Sequence, residues 1–368
     1  MLIAIVINTS WNIYNFRRGL IEGLKSDGHE LLLIAPIDDY SDEIGKWSEY
    51  IPVKMDNTGS NPFKDIKLMF QLRKIYARRK PNVILHYTIK PNIYGTLAAR
   101  SLRIPCINNI SGLGTIFMNE NLTAKIGRWL YRIALSKGCY VLFQNQDDKR
   151  DFTSKVKLGV PYSLVPGSGI DTSHFEYNEP PHNEIPRFLL VARLLLDKGI
   201  LEYLKSARQL KAKGYKAEFA LAGEVDESHV RGVPQSEIDE YHSTGDINYL
   251  GPVNPIEDEM VRSDWILLPS YREGTPRTLL EGAALGRPLI ATDVPGCREV
   301  VQHEINGLLC SAKSVDDLTR TIEIALGKTK SQTIAMGRKS RQLAEKKFDE
   351  KIVINTYRKL IDELVALI

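Results

Sequence analysis

At 368 residues, with 43% hydrophobic and 26% charged side chains, the chain has the composition of a globular protein and the length of two domains of about 150 to 180 residues each. This composition excludes an intrinsically disordered chain, and four cysteines without CxxC spacing exclude a cysteine-rich zinc site or a dense disulfide framework. The net charge of +4 hides an asymmetry, since residues 1–170 carry 23 Lys and Arg against 14 Asp and Glu, whereas the remainder carries 26 against 31.

The start of the chain turns polar after a short apolar run, residues 2–7, which is shorter than a signal-peptide core or a membrane span. The four cysteines are expected to be reduced and mostly buried, which is typical of a cytoplasmic protein. The basic first half is expected to favour anionic partners. We expect a membrane surface or an acidic substrate rather than nucleic acid, because no zinc-finger spacing or RNP-like motif accompanies the charge.

Strand-length apolar runs alternate with amphipathic segments of helix length along the first half of the chain. The predicted strands are residues 2–7, 31–36, 82–87 and 140–145, and the predicted helices include residues 16–28 and 92–102. Apolar runs without a polar face are typical of strands buried on both sides. The alternation therefore predicts a parallel sheet covered by helices.

The same alternation begins again after residue 180. Its predicted strands are residues 187–192, 218–223, 265–270, 288–293 and 307–310, with helices over 199–213 and from near Arg277. Two Rossmann-like halves imply a cleft, and open parallel sheets bind ligands at the carboxyl ends of their strands. The predicted domains are residues 1–175 and 187–347, with a Pro-rich linker at 176–186 and an amphipathic C-terminal helix over 348–368 that can pack back on the first domain.

The segment from Ser270 to Arg298 contains a well-marked strand-loop-helix unit. Thr275 is a good N-cap residue, Pro276 suits the first helical position, and Gly286 suits the C-terminal cap. Such a helix start presents free backbone N–H groups and the positive end of the helix dipole. The unit is therefore a candidate diphosphate site.

Two glutamates belong to this unit, Glu273 in the loop and Glu281 in the helix, with seven residues between them. Carboxylates in these places can accept hydrogen bonds from sugar or ribose hydroxyls while the helix start holds phosphate. The spacing alone is weak evidence, because many acidic pairs occur by chance, and the strand-loop-helix context supplies the specificity. The alternative is that both carboxylates only favour the helix dipole.

In this context, residues 269–309 resemble the donor site of family 4 glycosyltransferases of the GT-B fold, retaining enzymes with a Glu, seven residues, Glu motif. The resemblance extends to residues 165–175, 191–199 and 249–253. In the first half, residues 13–24, 89–105 and 111–114 are similar to bacterial members that extend undecaprenyl-diphosphate-linked sugars. The resemblance implies a mixed α/β fold of two Rossmann-like domains. It also implies transfer from a UDP-sugar, an N-acetylhexosamine, to a polyprenyl-diphosphate-linked sugar in bacterial glycan assembly.

Arg193, Lys198 and Glu273 are the catalytic candidates that the resemblance implies. Arg193 and Lys198 would bind the donor diphosphate, and Glu273 would face the donor sugar. Two cations in the loop before Gly199 can neutralise the charge that grows on a leaving phosphate. The alternative for both cations is a solvated loop.

The remaining donor contacts that the resemblance implies surround this loop. Glu281 would meet the ribose, and the amides of Thr278 and Leu279 would bind phosphate. The residues that shape the donor-sugar pocket or approach the uracil are Gly274, Thr275, Pro276, Gly251 and Val253.

The acceptor candidates lie in the first half, where the chain departs from the family pattern. Relatives often carry a diglycine loop where this chain has residues 8–16, so donor-phosphate contact from that side is left open. Asn12 and Arg17 are expected to meet the acceptor diphosphate instead, with an exposed arginine at a helix start as the alternative. Thr88 and Lys90 are candidate acceptor or phosphate ligands, with a plain loop role as the alternative.

Ser111 stands where many relatives place a histidine near the reaction centre, so no catalytic histidine is assigned. Ser111 is counted with the acceptor residues. His86, at a predicted strand end, is expected to be a packing residue without a catalytic role.

A basic amphipathic helix is predicted over residues 121–137. Leu122, Ile126, Trp129, Leu130 and Ile133 fall on one face, and the flanking cations are Lys125, Arg128 and Arg132. Such a helix suits an anionic bilayer surface, as does the basic run at residues 64–80. The alternative is a pair of core helices with solvated basic flanks. The expected location is cytoplasmic, and peripheral on the cytoplasmic face of the inner membrane.

No DxD pair occupies a suitable loop, and the resemblance implies chemistry without a metal ion or other cofactor, the UDP-sugar being a co-substrate. Three rival functions remain: a glycosyltransferase with a soluble acceptor, a UDP-sugar epimerase on related architecture, and a catalytically silent sugar-nucleotide sensor. A dehydrogenase is disfavoured because no GxGxxG follows the first strand.

Overall fold

The computed structural model describes residues 1–56, 61–113, 115–118, 120–227 and 229–366. The chain forms two compact units. The first contains residues 1–168 together with the segment from Glu350 onward, and the second contains residues 169–349. The expected α/β architecture of two parallel-sheet domains is confirmed.

The first unit is built on a seven-stranded parallel sheet in the order β3-β2-β1-β4-β5-β6-β7. Its strands are β1 (Leu2–Val6), β2 (Glu30–Ala35), β3 (Glu49–Pro52), β4 (Val83–Tyr87), β5 (Cys106–Ile110), β6 (Cys139–Phe143) and β7 (Tyr162–Leu164). Alternate residues of a strand point to opposite faces. Accordingly Ala4 and Val6 lie in one hydrophobic core, and Ile3 and Ile5 lie in the other.

Helices cover both faces of this sheet. In chain order they are α1 (Ser10–Phe16), α2 (Arg18–Ser26), α3 (Ser41–Trp47), α4 (Pro62–Arg79), α5 (Thr96–Ser101), α6 (Thr115–Met118), α7 (Leu122–Ala134) and α8 (Gln146–Lys155), with a π-helical turn at Pro91–Gly95. Helices α4, α5 and α7 contribute to one core, and helices α1, α2 and α3 to the other.

The second unit has a six-stranded parallel sheet in the order β10-β9-β8-β11-β12-β13. Its strands are β8 (Arg187–Val191), β9 (Glu218–Ala222), β10 (Asn248–Gly251), β11 (Trp265–Leu268), β12 (Leu289–Thr292) and β13 (Gly307–Cys310). Its helices are α9 (Ile200–Ala212), α10 (Gln235–Ser243), α11 (Glu257–Val261), α12 (Arg277–Ala284), α13 (Cys297–Val300), α14 (Val315–Leu326) and α15 (Lys330–Leu343), with short turns at Leu196–Lys198 and Ala344–Phe348.

In each sheet the strand order reverses once, between β1 and β4 in the first unit and between β8 and β11 in the second. Loops that leave neighbouring strands at such a point diverge to opposite faces and open a crevice at the carboxyl edge. Most candidate donor and acceptor residues follow the carboxyl end of a strand, in the loop or the first helical turn after it. This topology therefore positions two separate groups of candidates, one in each unit.

The last helix, α16 (Glu350–Val365), belongs to the first unit. Arg358 forms a two-pronged ion pair with Asp27 at 2.6 and 2.8 Å, and Tyr357 accepts a hydrogen bond from Asn109 Nδ2 at 2.9 Å. Residues 176–186, the expected linker, group with the second unit, where the Asn183 side chain binds Asp264 at 2.8 Å.

All four cysteines are buried free thiols, in agreement with the expectation. Within the described ranges, no helix combines the length and the apolar character needed to cross a bilayer.

Candidate functional site

The loop between β11 and α12 is fastened to the loops that follow the neighbouring strands. The amide of Tyr271 donates to the carbonyl of Asp197 at 2.8 Å, after β8. On the other side, the amide of Glu273 donates to the carbonyl of Pro295 at 3.2 Å, after β12. Because the loops after β8 and β12 both leave strands that flank β11 in the sheet, these two hydrogen bonds fix the position of the loop at the carboxyl edge.

The start of α12 differs from the sequence prediction. Thr275 is not the N-cap: Pro276 takes that position, with extended backbone (ψ 119°), and Arg277 is the first helical residue. The carbonyl of Pro276 accepts the first helical bond, from Leu280, so the Thr275 side chain lies one residue too early to cap. Its hydroxyl oxygen is enclosed and has no hydrogen-bond partner among the described residues.

No described side chain caps α12, so the amides of Thr278 and Leu279 at its start are available to a ligand. Arg277, Thr278 and Leu279 occupy the first three helical positions, whose N–H groups have no partner within a helix. Thr278 turns its hydroxyl away, donating to the carbonyl of Val191 at 3.0 Å. By contrast, several other helices are capped by a Ser, Thr or Asn side chain, as Thr329 caps α15. An uncapped helix start with its positive dipole end is a suitable anion site.

The predicted end of α12 is confirmed. Gly286 adopts a left-handed conformation (φ 79°) immediately after the last turn. Its amide donates to the carbonyl of Ala283, and the amide of Arg287 donates to the carbonyl of Gly282. This pair of bonds is a Schellman motif, which favours glycine because of the positive φ.

Two of the predicted catalytic residues meet directly. Lys198 Nζ forms an ion pair and a short hydrogen bond with Glu273 Oε1. Their side chains are 25% and 13% exposed, so the pair is largely shielded from solvent. Close backbone packing supports it: Gly199 has φ 72°, and a Cβ there would lie 2.1 Å from the carbonyl oxygen of Pro269.

Arg193, the third catalytic candidate, lies in the same loop after β8 and has an exposed side chain. Within the described chain, no residue forms a hydrogen bond or an ion pair with its guanidinium. The structure thus leaves one cation of this loop available to an anion and pairs the other with Glu273.

Glu281 is enclosed rather than open. Arg277 Nε binds Glu281 Oε1 at 2.9 Å, one turn away on α12. Burial raises the pKa of Glu281, the nearby Arg277 opposes this rise, and the carboxylate of Glu257 adds to it. Glu281 therefore holds a proton more readily than an exposed glutamate does.

The remaining donor candidates lie along the same edge. Gly274 precedes Thr275 in the loop, and Gly251 ends β10 with φ 68°. The carbonyl of Gly251 accepts a hydrogen bond from the amide of Gly223 at 2.9 Å, and Val253 is partly buried against the core of the second unit.

Gly296 is a site residue that was not singled out from the sequence. It has φ 82°, and a Cβ at this position would lie 2.4 Å from the carbonyl oxygen of Glu273 and 2.6 Å from that of Gly274. Only glycine lets the loop after β12 approach the Glu273 loop so closely. The Pro-Gly pair at 295–296 is the signal that could have identified it.

In the first unit, the acceptor candidates lie where β1, β4 and β5 end. Arg17, between α1 and α2, is buried with only 4% exposure, and its guanidinium carbon is 4.1 Å from the centroid of the Tyr87 ring. The alternative of an exposed arginine at a helix start is therefore wrong. Asn12 lies in α1, and Ser111 follows β5 with a half-buried side chain.

Two further acceptor candidates follow β4. Thr88 has φ 66°, a strained conformation for a β-branched residue, and its hydroxyl is enclosed without a hydrogen-bond partner in the described chain. Lys90 Nζ forms an ion pair with Asp65 at 2.7 Å, with both side chains largely buried. The charge of Lys90 is thus compensated inside the unit.

His86 is a packing residue, as expected. It is buried, and its ring nitrogens lie 3.0 Å from the Tyr76 hydroxyl and 3.1 Å from Asn108 Oδ1. Burial lowers the pKa of His86 to about 3, with the Asn108 contact opposing the shift, so the imidazole is neutral near pH 7.

Two helices of the first unit expose apolar side chains. On α7, Leu122, Ile126 and Trp129 are exposed, while the buried side is formed by Ala124, Gly127, Tyr131 and Ala134. The prediction that all five apolar residues form one face for a bilayer surface is therefore too broad, since Leu130 and Ile133 are half-buried. Arg128, one of the expected flanking cations, pairs with Glu120 at 2.7 Å.

The second exposed stripe lies on α4, at Phe63, Ile66 and Phe70. The sequence singled out this segment by its basic residues, at 64–80, and not by its exposed apolar side chains. The helix contributes to the same core as α7, so both lie on the same face of the sheet. Lys67 and Lys74 are exposed on α4, as are Lys125 and Arg132 on α7.

Both halves of the chain match families of known proteins. Residues 172–342 match the family described as "Glycosyl transferases group 1", and residues 3–145 match "Glycosyl transferase 4-like".

Two relatives of known description cover most of the chain. The N,N'-diacetylbacillosaminyl-diphospho-undecaprenol alpha-1,3-N-acetylgalactosaminyltransferase of Campylobacter jejuni is 27% identical, over 99% of this chain and 99% of the relative. The UDP-Gal:alpha-D-GlcNAc-diphosphoundecaprenol alpha-1,3-galactosyltransferase of Escherichia coli is 23% identical, over 78% and 76%.

Solved structures share the fold at low sequence identity. Sucrose-phosphate synthase from Thermosynechococcus elongatus superposes with a TM-score of 0.83 at 18% identity, with full coverage of both chains. HepE of Anabaena, in complex with UDP, gives a TM-score of 0.80 at 15% identity, covering 98% of this chain and 99% of that one.

Proposed function

Because the chain belongs to the glycosyltransferases of the GT-B fold, we propose that it transfers a sugar from a UDP-sugar to a sugar carried on a polyprenyl diphosphate, in bacterial surface-glycan or glycoprotein-glycan assembly. An N-acetylhexosamine is the proposed donor sugar, since the relative matched along 99% of both chains transfers N-acetylgalactosamine. The names of both relatives specify a diphosphate-linked undecaprenol acceptor. The main support for donor binding is one observation. Lys198 pairs with Glu273 in the loops at the carboxyl edge of the second sheet, where α12 begins without a side-chain cap.

The donor diphosphate is assigned to the start of α12 and to the loop after β8. The amides of Thr278 and Leu279 supply neutral donors, and Arg193 and Lys198 supply positive charge. Charge-assisted hydrogen bonds to phosphate are stronger than neutral ones, and they strengthen further where water is excluded. Glu281, held by Arg277, is assigned to the ribose.

In the proposed reaction, the bond between the anomeric carbon and the diphosphate oxygen breaks, and its electron pair leaves with UDP. The acceptor oxygen forms the new glycosidic bond, and its proton passes to the departing phosphate. Negative charge grows on that phosphate in the transition state, so Arg193 and Lys198 favour the transition state over the bound donor. Glu273 is assigned to the donor sugar, and the configuration at the anomeric carbon is proposed to be retained.

A metal ion is not required in this proposal, because the cations and the helix start take over its electrostatic role. Within the described residues, no group of three or more His, Cys, Asp or Glu side chains is placed to hold a metal ion. The test is direct: EDTA followed by desalting is expected to leave turnover unchanged, and a loss restored by Mg²⁺ or Mn²⁺ would contradict the proposal.

The reaction is tested by measuring UDP release from UDP-N-acetylhexosamines and UDP-hexoses, each with and without undecaprenyl-diphosphate sugars. Release is expected only when both substrates are present, and Glu273→Ala is expected to abolish it. Equal rates of UDP release with free sugars and with undecaprenyl-diphosphate sugars would favour a soluble acceptor. Conversion of the donor to its epimer without acceptor would identify an epimerase, and UDP binding without turnover would identify a sensor.

Peripheral attachment to the cytoplasmic face of the inner membrane is the second part of the proposal. The support is the exposed stripe of Leu122, Ile126 and Trp129, with Lys125 and Arg132 exposed on the same helix. Exposed apolar side chains beside cations suit an anionic bilayer, because the rings and aliphatic chains enter the interface while the cations meet lipid phosphates.

Sedimentation with vesicles tests this attachment. The protein is expected to sediment with vesicles containing phosphatidylglycerol at low salt and less with neutral vesicles or at high salt. The double variant Leu122→Ser/Trp129→Ser should remain in solution, whereas Ile324→Ser, at an exposed apolar position of the second unit, should behave as the wild type. Equal sedimentation of all three proteins would contradict the proposal.

A further inference from the structure

Arg17 is a buried cation without a counter-ion in the described chain. Only 4% of its surface is exposed, its guanidinium lies over the Tyr87 ring, and its Nε is enclosed with no hydrogen-bond partner. Among the residues that the structure describes, no carboxylate forms an ion pair with Arg17. Charge removed from water without a partner is unfavourable, so this arrangement requires an explanation.

The fold compensates its other deeply buried cations. Arg187 binds Glu218 at 3.0 Å and Glu259 at 2.6 Å, and Lys90 binds Asp65 at 2.7 Å. Arg287 donates to backbone carbonyls, among them that of Val261 at 3.2 Å. Arg17 has neither kind of partner among the residues described.

Two other acceptor candidates, on the segments that follow β1 and β4, also have polar atoms without a partner in the described chain. Thr88 directly follows Tyr87, and its hydroxyl is enclosed and unpaired within the described ranges, as is the carboxamide oxygen of Asn12. Strands β1 and β4 are neighbours, with Val6 beside His86, so the loops that follow them begin side by side. The strained backbone of Thr88 (φ 66°) is the kind of local conformation that persists at functional sites.

We infer that Arg17 is the anchor for the diphosphate of the lipid-linked acceptor, with the Thr88 hydroxyl donating to the same anion. This inference rests on the proposed function. The planar guanidinium can donate two parallel hydrogen bonds to phosphate oxygens. Its contact with the Tyr87 ring restricts its movement. Asn12 Oδ1 accepts a hydrogen bond from a hydroxyl of the first acceptor sugar.

The UDP-sugar is the other source of a diphosphate in this reaction. The proposed function assigns that diphosphate to the start of α12 and to the loop after β8, in the second unit. The anion assigned to Arg17 in the first unit is therefore the diphosphate of the acceptor. The experiment must distinguish binding of the acceptor diphosphate from binding of the UDP-sugar diphosphate.

Steady-state kinetics of Arg17→Met make this separation, with Arg18→Met as the matched control. Arg18 is the next residue and carries the same charge, but its side chain is 65% exposed and pairs with Glu22. For Arg17→Met, the KM for the polyprenyl-diphosphate sugar is expected to rise on the order of 10- to 100-fold, the loss of a charged hydrogen-bonding group. The KM for the UDP-sugar is expected to stay unchanged, and Arg18→Met to match the wild type.

An acceptor with a single phosphate tests whether Arg17 recognises the diphosphate itself. The wild type should prefer the diphosphate acceptor over the monophosphate one, and Arg17→Met should lose most of that preference. An unchanged acceptor KM, or an equal weakening toward the UDP-sugar, would overturn the inference.

The midpoint of thermal unfolding of Arg17→Met tests whether Arg17 has only a structural role. Replacing an uncompensated buried charge by an apolar side chain of similar length is expected to leave the midpoint unchanged or to raise it. A lowered midpoint combined with a normal acceptor KM would instead make Arg17 a structural residue.

Binding separates a failure of this inference from a failure of the proposed function. If the wild type transfers nothing to polyprenyl diphosphates, the proposed function fails, and the site is then tested with farnesyl diphosphate at saturating UDP, which occupies the donor site. The wild type and Arg18→Met should gain thermal stability from farnesyl diphosphate, whereas Arg17→Met should not. No gain for the wild type would overturn the inference.

Discussion

Lys198 and Glu273 form an ion pair between loops that are 75 residues apart in the chain. The loops meet because β8 and β11 are neighbours in the sheet, with Leu190 beside Leu267. Both side chains are more than two-thirds shielded, so their attraction is screened less than that of a surface pair. The pair fixes the Glu273 carboxylate and partly neutralises Lys198 before any donor binds.

Removal of either cation after β8 is expected to slow the chemical step. Arg193→Ala and Lys198→Ala should each lower kcat by on the order of 10²-fold or more, because we propose that their charge stabilises the leaving diphosphate in the transition state. The measurement is UDP release at saturating donor. Lys205→Ala, which removes an exposed lysine of α9, should retain wild-type kcat; wild-type turnover in both test variants would remove them from the mechanism.

The Lys198–Glu273 pair should also contribute to the free energy of unfolding. Lys198→Met leaves a shielded carboxylate without its partner and Glu273→Gln leaves a shielded ammonium, so each single variant is expected to unfold at lower urea concentration than the wild type. The double variant should be more stable than the sum of the single changes predicts, with a coupling free energy of about 1 to 3 kcal/mol. Strict additivity would show that the pair contributes nothing to folding.

Gly296→Ala should lower stability and activity by more than the strain of a positive φ alone, because the added methyl group would also clash with neighbouring backbone. Gly296→Ala places a Cβ 2.4 Å from the carbonyl oxygen of Glu273, whereas a Cβ at Gly245, which has a similar φ of 75°, would meet no atom of the described structure within 4 Å. Gly245→Ala is expected to lower the free energy of unfolding by about 1 kcal/mol and to keep full activity. Gly296→Ala should lower it further and reduce kcat. Equal effects of the two changes would contradict the steric argument.

Acid should weaken the first unit through His86. Its pKa lies near 3 in the folded protein against an ordinary 6.5, so between these values the unfolded chain binds a proton that the folded chain does not. The contribution of this residue is therefore complete above pH 6.5 and is lost as the pH falls, by up to about 1.4 kcal/mol per pH unit. Urea unfolding of the wild type and of His86→Gln, followed between about pH 7 and about pH 5, measures this slope. An equal slope in both proteins would exclude His86 as its source.

Local sequence patterns predicted the strand-loop-helix unit of the second unit well. The buried strand β11, the loop after it and the Schellman end of α12 at Gly286 depend on apolar runs and on the backbone freedom of single residues. The prediction failed at Thr275, because whether a threonine or the proline after it becomes the N-cap depends on where the loop is fastened, here at Asp197 and Pro295.

The acceptor half was less predictable for the same reason. The pairing of Arg18 with Glu22 spans one turn of α2 and can be read from the sequence. The burial of Arg17 over Tyr87 cannot, because these two residues are far apart in the chain. Similarly, the sequence leaves Lys90 as a candidate ligand, whereas the structure pairs it with Asp65 of α4. Pairings of this kind join segments that are distant in the chain.

By itself, the sequence determined the alternation of strands and helices, the two-domain α/β class and the strand-loop-helix unit, because periodicity and turn residues act over a few neighbours. Only the tertiary structure decided that Lys198 is paired with Glu273 and that Arg17 is buried with no counter-ion among the described residues. The physical reason is that charge compensation depends on atoms a few ångströms apart in space, and the order of the strands in the sheet, not their order in the chain, brings those atoms together.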